Sequence, residues 1–230
     1  MKNVMLGMLV SLVMTSAFAA ERLPASRIDT AALTQDTQVI LPGTEGGHLA
    51  MFWWIPAEYW QSVKKMDDAT RKNLQEVFSG ISLLAVAQAD ISKLGAFTFY
   101  PKDQVQQNLE ITLTDENGKT TKVALVKKIK PEVEAILGYL KPIFTSAMGN
   151  LGNNMHFFVL EDRTADINRL VDPYKKGKLS IQLKRTDNTP ISGDIELPLN
   201  SLFVPRQCPN GKPAHISWNY CPWSGERLPD

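Results

Sequence analysis

The sequence predicts an α+β protein: a mostly antiparallel sheet or sandwich with a few helices packed on it, ending in a small C-terminal hairpin unit. Three observations carry this. β-prone runs outnumber helical ones, and most connections between them are short. Asp115-Glu116-Asn117-Gly118-Lys119 lies between two such runs, where Asn-Gly is a strong hairpin signal. No regular alternation of strand and helix occurs, which argues against a doubly wound parallel sheet.

The elements follow in order. Residues 20–36 are polar with scattered alanines and one proline, and predict an extended, weakly ordered lead-in to an α+β domain over 37–205. Thr37 to Leu41 reads as a short strand closed by Pro42-Gly43-Thr44-Glu45-Gly46-Gly47. The glycine spacing does not fit a phosphate loop and no Lys-Ser/Thr follows, so a hairpin turn into a second strand, His48 to Trp54, is expected. Pro56 opens a helix from Ala57, where its missing N–H would have no partner anyway. A second helix spans Ala69 to Phe78, with Asp67 or Asp68 as N-cap and Leu74, Val77 and Phe78 as its apolar stripe.

Ile81 to Ala89 is long and β-rich enough for a buried central strand, and Ala96 to Tyr100 pairs as the next. Leu109 to Thr114 and Thr120 to Val126 flank the Asn-Gly turn, expected to be type I′ with positive φ at both central residues. Pro131 begins the main helix, in which Val133, Ile136, Leu137, Leu140, Phe144 and Ala147 mark one buried face. Pro142 inside it is expected to kink or split it near Lys141, and Gly149 to Asn154 end it. Met155 to Leu160 is a further core strand. In Lys178 to Arg185, Leu179, Ile181 and Leu183 alternate with Ser180, Gln182 and Lys184, so one face is wet. Asp187-Asn188-Thr189-Pro190 then turns the chain toward Ile195 to Leu199.

Residues 1–19 read as an export signal. Lys2 supplies the positive start, Val4 to Met14 the apolar stretch, and Ala17-Phe18-Ala19 the small residues before cleavage near Ala19–Ala20. About eleven apolar residues are too few for the roughly twenty of a membrane span. No later run reaches that length, so a mature chain without a span, in the periplasm or secreted, is expected. Lys plus Arg total 25 and Asp plus Glu 24; the signal holds one lysine and no acid, so the mature chain is formally neutral. A neutral chain gives no electrostatic reason to expect a nucleic-acid partner.

Few residues form a pattern that carries chemistry. The three histidines, His48, His156 and His215, are widely spaced and match no metalloprotease or facial-triad spacing. His156, in an apolar strand, is expected to be a core or edge histidine with one satisfied hydrogen bond. No Gly-x-Ser-x-Gly elbow is present. Acidic pairs such as Asp67-Asp68 and Glu161-Asp162 fall in caps or loops, whereas glycosidase-like use needs carboxylates facing each other across a cleft. The aromatic cluster Trp53, Trp54, Tyr59 and Trp60 has two readings: a stacking platform for a sugar or peptide, or packed core. Core is preferred, because Ile55, Tyr59 and Val63 make one helical stripe and adjacent tryptophans on a strand point to opposite faces.

The remaining 25 residues, 206–230, hold the only two cysteines, Cys208 and Cys221. Cys221-Pro222-Trp223-Ser224-Gly225-Glu226-Arg227-Leu228 resembles the second knuckle of a zinc ribbon, Cys-Pro-x-Cys-Gly-x-x-Leu, with serine in the second ligand position. Cys208-Pro209-Asn210-Gly211-Lys212 is similar to the first knuckle, one residue short and lacking its second cysteine. The tail thus resembles a zinc ribbon with half its ligands lost. The body, through Met155-His156-Phe157-Phe158 and the Trp-Ile-Pro-Ala-Glu-Tyr-Trp segment, is similar to secreted bacterial proteins without known activity. A structural zinc needs four ligands, which two thiolates do not fill. Sulfurs roughly 3.8 Å apart around such a metal need only a modest shift to reach the ~2.05 Å of a disulfide. In an oxidising compartment the resemblance therefore implies a Cys208–Cys221 disulfide and no cofactor. The rival reading is a zinc site from Cys208, His215 and Cys221 with an outside ligand.

The function expected is that of an exported, non-enzymatic binding or interaction protein for an unidentified protein or small ligand. A carboxylate-dependent hydrolase or carbohydrate-active enzyme with a tryptophan-lined site is the alternative, and a zinc-binding tail a further one.

Overall fold

The computed structural model describes residues 20–42, 47–163 and 169–228. The export signal expected over 1–19 and the glycine turn expected around 43–46 lie outside the described residues. The architecture is α+β with antiparallel sheets. Its elements are α1 (Thr30–Thr37), β1 (Gln38–Pro42), β2 (His48–Ile55), α2 (Ala57–Ser62), α3 (Asp68–Val77), β3 (Ile81–Ile91), β4 (Phe97–Phe99), α4 (Lys102–Asn108), β5 (Glu110–Asp115) and β6 (Thr120–Lys122). They continue with α5 (Pro131–Met148), α6 (Asn150–Asn153), β7 (His156–Glu161), β8 (Gly177–Lys184), β9 (Pro190–Leu197), β10 (Arg206–Gln207) and β11 (Pro213–Ala214).

The longest strand organises the first sheet. β3 pairs with β2 along one edge; its other edge is shared by β7, against Ile81–Val86, and β4, against Ala89–Ile91. β1 completes the sheet beside β2. The second sheet runs β6-β5-β8-β9. Successive side chains on a strand point to opposite faces, and the first sheet uses this to serve two cores. Ala50, Phe52, Trp54, Leu84, Val86, Phe158 and Leu160 face the second sheet, meeting Ile111, Leu179, Ile181, Leu183, Ile195 and Leu197. Met51, Trp53, Ile55, Leu83, Ala85, Phe157 and Val159 face the other way, toward Trp60 of α2, Phe78 at the end of α3, and Val133 and Phe144 of α5. The result is three layers: helices, a five-stranded sheet and a four-stranded sheet.

Several local features depart from the sequence expectations for physical reasons. The lead-in is ordered. Asp29 caps α1 by accepting from the Ala31 and Ala32 amides, Ile28 and Leu33 are buried, and Leu23 N–H bonds the Leu202 carbonyl at 2.9 Å. Two anchors suffice for docking but leave no visible helical period. Helix α4, with Val105 buried, is likewise too short and polar to show one. In the Asn117-Gly118 turn only Gly118 has positive φ, so the hairpin is not type I′. Asp115 Oδ1 instead accepts from the Asn117 and Lys119 amides, each at 2.9 Å, and the glycine alone takes the left-handed position. Helix α5 runs on through Pro142. Lys141 Nζ reaches across to donate to the Met155 carbonyl at 2.8 Å, tying this part of the helix to the start of β7.

The two sheets are joined by polar groups as well as by the core. His48 Nδ1 meets Asp90 Oδ1 at 3.0 Å, and Tyr100 OH donates to the same carboxylate while accepting from Thr186 N–H at 2.9 Å. Gln88 Nε2 donates to the Lys184 carbonyl at 3.0 Å. This network clips the end of β8 to the middle strand of the first sheet. His156 Nε2 donates to the Tyr100 carbonyl at 2.8 Å, the satisfied position expected for it, and burial holds its pKa below the ordinary histidine value.

The sheets approach closely where β9 passes β1. A Cβ at Gly193 would lie 2.8 Å from Val39 Cγ1 and 3.4 Å from the Phe52 ring. Gly193→Val is therefore expected to destabilise the protein by about 1–3 kcal/mol through overpacking. Urea denaturation should show a lower midpoint with an unchanged m-value.

Candidate functional site

The aromatic residues singled out from the sequence form packing rather than a platform. Trp54 has no exposed surface, and its Nε1 donates to Ser82 Oγ at 3.0 Å. Trp53 lies edge-on to Tyr59 and against Phe144, with centroids 5.5 and 5.1 Å away. Trp60 stacks on Phe78 at 5.1 Å with planes 6° apart. Tyr59 is half-buried, and burial raises its pKa. Of the two readings offered by the sequence, the packed one matches this placement.

The tail is a compact unit of tight turns. β10 and β11 pair antiparallel around a turn that begins at Cys208 and passes left-handed Gly211, closed by Cys208 N–H to the Lys212 carbonyl at 2.8 Å. The second turn begins at Cys221 and passes left-handed Gly225, closed by Cys221 N–H to the Glu226 carbonyl at 2.8 Å. Cys208 and Cys221 are joined as a disulfide with Cα atoms 5.6 Å apart. Around it the unit's own core is small: Cys208, Ala214, Cys221 and Leu228. Ile216 reaches into the body's core, its N–H donating to Asn200 Oδ1 at 2.9 Å. Arg206 Nη1 donates to the Ile216 and Trp218 carbonyls, holding the link in place.

His215, the third ligand of the metal reading, is turned to its own loop. Its Nδ1 accepts from Ser217 Oγ at 2.8 Å, and burial lowers its pKa. Among the described residues no three His, Cys, Asp or Glu side chains are grouped to hold a metal ion. With both cysteine sulfurs spent on each other, no thiolate is available as a ligand until the bond is reduced.

The outside of this unit carries rings. Trp218 is 36% exposed, Trp223 50% and Tyr220 61%, whereas Trp53 and Trp60 are 8% and 7% exposed. Trp218 and Trp223 meet at 5.8 Å with planes 70° apart, an edge-to-face arrangement. Lys212 Nζ sits 4.9 Å over the Trp223 ring, and His215 flanks Trp218 at 6.1 Å. The unit's aliphatic residues Ala214, Ile216 and Leu228 are buried, so apart from Pro209, Pro213 and Pro222 its outward apolar side chains are the rings. The sequence carried a usable signal: large rings in a loop of Pro, Gly and Asn turns have no periodic element to bury them.

A second cluster lies where α2 meets the chain after β7. Arg169 forms a two-pronged pair with Glu58, both N–O distances 2.6 Å. Its Nε lies 3.8 Å from Asp162 Oδ2. Both carboxyl side chains are almost wholly buried. These groups, with Gln61, Gln75, Ser79 and Arg163, line a cavity of about 230 Å³. Burial pushes the Asp162 carboxyl up to about 6, and Glu58 adds to the rise. The sequence placed Asp162 in an acidic loop pair; Arg169 follows it by seven residues, but Glu58, which completes the cluster, lies more than a hundred residues earlier, which no local pattern reveals.

Comparison with known proteins finds no family model, no curated protein and no solved structure that matches this chain, so the reading of its function rests on its own residues. Two variants probe the clusters directly. Arg169→Leu strands two buried carboxyls and is expected to cost about 3 kcal/mol in denaturant unfolding. Cys208→Ser with Cys221→Ser removes a constraint of about 3 kcal/mol on the tail. Its effect is expected to stay local: higher acrylamide accessibility of Trp218 and Trp223, with the body's thermal transition unchanged.

Proposed function

We propose that this chain is an exported, non-enzymatic binding protein whose disulfide-closed C-terminal unit is its contact surface, taking ligands with flat apolar faces such as sugar rings. The observation that carries this is the partition of the tryptophans: three are packed in the body and two are held outward on the tail. Ring faces offer apolar area with a polar edge, and the exposed Asn219 and Ser224 supply short polar groups next to them in the chain. A preorganised surface loses little freedom on binding, and the disulfide, the Ile216 anchor and the Arg206 bonds supply that rigidity. Export fits a disulfide-closed unit, and among the described residues no helix is long and apolar enough to cross a membrane. The paired turns, each starting at a cysteine and closing through a left-handed glycine, support descent of the tail from a zinc ribbon.

The hydrolase reading has one observation in its favour, the raised Asp162 carboxyl. Against it, Glu58 and Asp162 share one guanidinium, and Asp162 Oδ1 already accepts from Val171 N–H at 2.6 Å. General acid–base work across a cleft needs carboxyls that face the substrate.

Titration of tryptophan fluorescence with soluble cell-wall fragments and oligosaccharides tests the proposal. Saturable change without product release is expected. Trp218→Ala and Trp223→Ala should each weaken binding about 2- to 12-fold, from the ~0.5–1.5 kcal/mol of a ring contact, and leave far-UV circular dichroism unchanged. Product release, or binding indifferent to both substitutions, would count against it.

A further inference from the structure

Glu58 and Asp162 place two buried carboxyl groups against one guanidinium, that of Arg169. Two carboxylates and one cation leave one negative charge uncompensated away from water, which is costly. A proton is the smallest species that removes it. Glu58 holds both Arg169 Nη groups at 2.6 Å, whereas Asp162 reaches only Nε, at 3.8 Å, so the proton belongs on Asp162.

Among the described residues, the other charged groups nearby do not take that role. Arg163, on the same cavity wall, directs Nη2 to Ser79 Oγ at 3.4 Å. Asp172 adds negative charge near Arg169 and is paired with Lys175 at 3.6 Å. Tyr174, which feels both Glu58 and Arg169, has the Arg22 guanidinium 4.2 Å over its ring.

Asp162 also fastens the backbone. Its own N–H donates to the Gly80 carbonyl at 2.9 Å, its carbonyl accepts from Leu170 N–H at 2.8 Å, and its Oδ1 accepts from Val171 N–H at 2.6 Å. We propose that Asp162 is a proton-operated latch: protonated, it sits buried beside Glu58 and holds the Arg169–Val171 segment against α2 and the end of β7; ionised, it places a second negative charge beside Glu58 away from water, and the segment opens to hydrate it.

The direction of the response follows from the raised carboxyl, at about 6 against an ordinary value of 3.8. A group whose folded-state pKa is raised contributes stability that is complete below its unfolded value and lost as pH rises through the folded one. The latch therefore closes in mildly acidic surroundings and opens toward neutrality.

Amide hydrogen exchange at Leu170 and Val171 in the full chain, corrected for intrinsic exchange rates, reads the opening. Between about pH 5 and about pH 7.5 the local opening constant should rise about tenfold. Asp162→Asn, permanently neutral, should abolish the rise. An opening constant that ignores pH, or a rise that persists in Asp162→Asn, overturns the proposal. Glu58→Gln supplies an independent readout. With Arg169 released to Asp162, the Asp162 carboxyl followed by carbon-13 NMR should titrate at lower pH than in the unsubstituted protein, and an unmoved midpoint is equally fatal.

Discussion

Strand β3 is paired on both edges and covered on both faces, and that double burial governs the rest of the structure. Leu83, Ala85 and Ala87 need a helical cover, while Leu84 and Val86 need a second sheet. Neither layer alone removes β3 from water. Its neighbours are forced into the same alternation, so Trp53 and Trp54, adjacent in sequence, end in different cores. The strand's N-terminal end meets β7, whose last residues lead to Asp162 and the charge cluster beside α2. Its C-terminal end carries Gln88 and Asp90, which clip the second sheet through Lys184, Tyr100 and Thr186.

The sheets were legible in the sequence to the extent that their apolar patterns are local. Leu179, Ile181 and Leu183 alternate with polar residues, and β8 is buried on that face alone. The β-rich run from Ile81 declared a central strand, as did Met155 to Leu160 a core one. Elements held by one or two contacts were not legible. Helix α1 is fixed by Asp29, Ile28 and Leu33, and neither its period nor its propensity distinguishes it from a loop. Pro142 illustrates the reverse case: a strong local breaker is overridden where the helix is held by Phe144 in the core and by Lys141 bonded across to the Met155 carbonyl. The turn at Asn117 follows Asp115, whose carboxylate takes two amides and settles a turn geometry that Asn-Gly alone left open.

The candidate sites divide along the same line. The Cys208–Cys221 pairing was readable because both cysteines sit in recognisable turns and the chain has no others. The packed aromatic cluster around Trp53 and the outward rings of the tail are chemically alike, and the difference between them is tertiary. Trp53 and Trp54 pair with β3, and with Trp60 of α2 they are drawn into its two cores, whereas Trp218 and Trp223 belong to a unit whose own core is too small to take them. The charge cluster of Glu58, Asp162 and Arg169 was invisible for another reason: it joins residues more than a hundred positions apart. On the proposed reading the body and the tail divide the work, one holding the fold and the other presenting the contact surface.

That division is tested most directly by fluorine NMR on protein carrying 5-fluorotryptophan at all five positions, titrated with a cell-wall oligosaccharide. If the tail is the contact surface, the resonances of Trp218 and Trp223 should shift and saturate together, while those of Trp53, Trp54 and Trp60 stay in place. Saturable shifts at the three body tryptophans, with the tail pair unmoved, would contradict it.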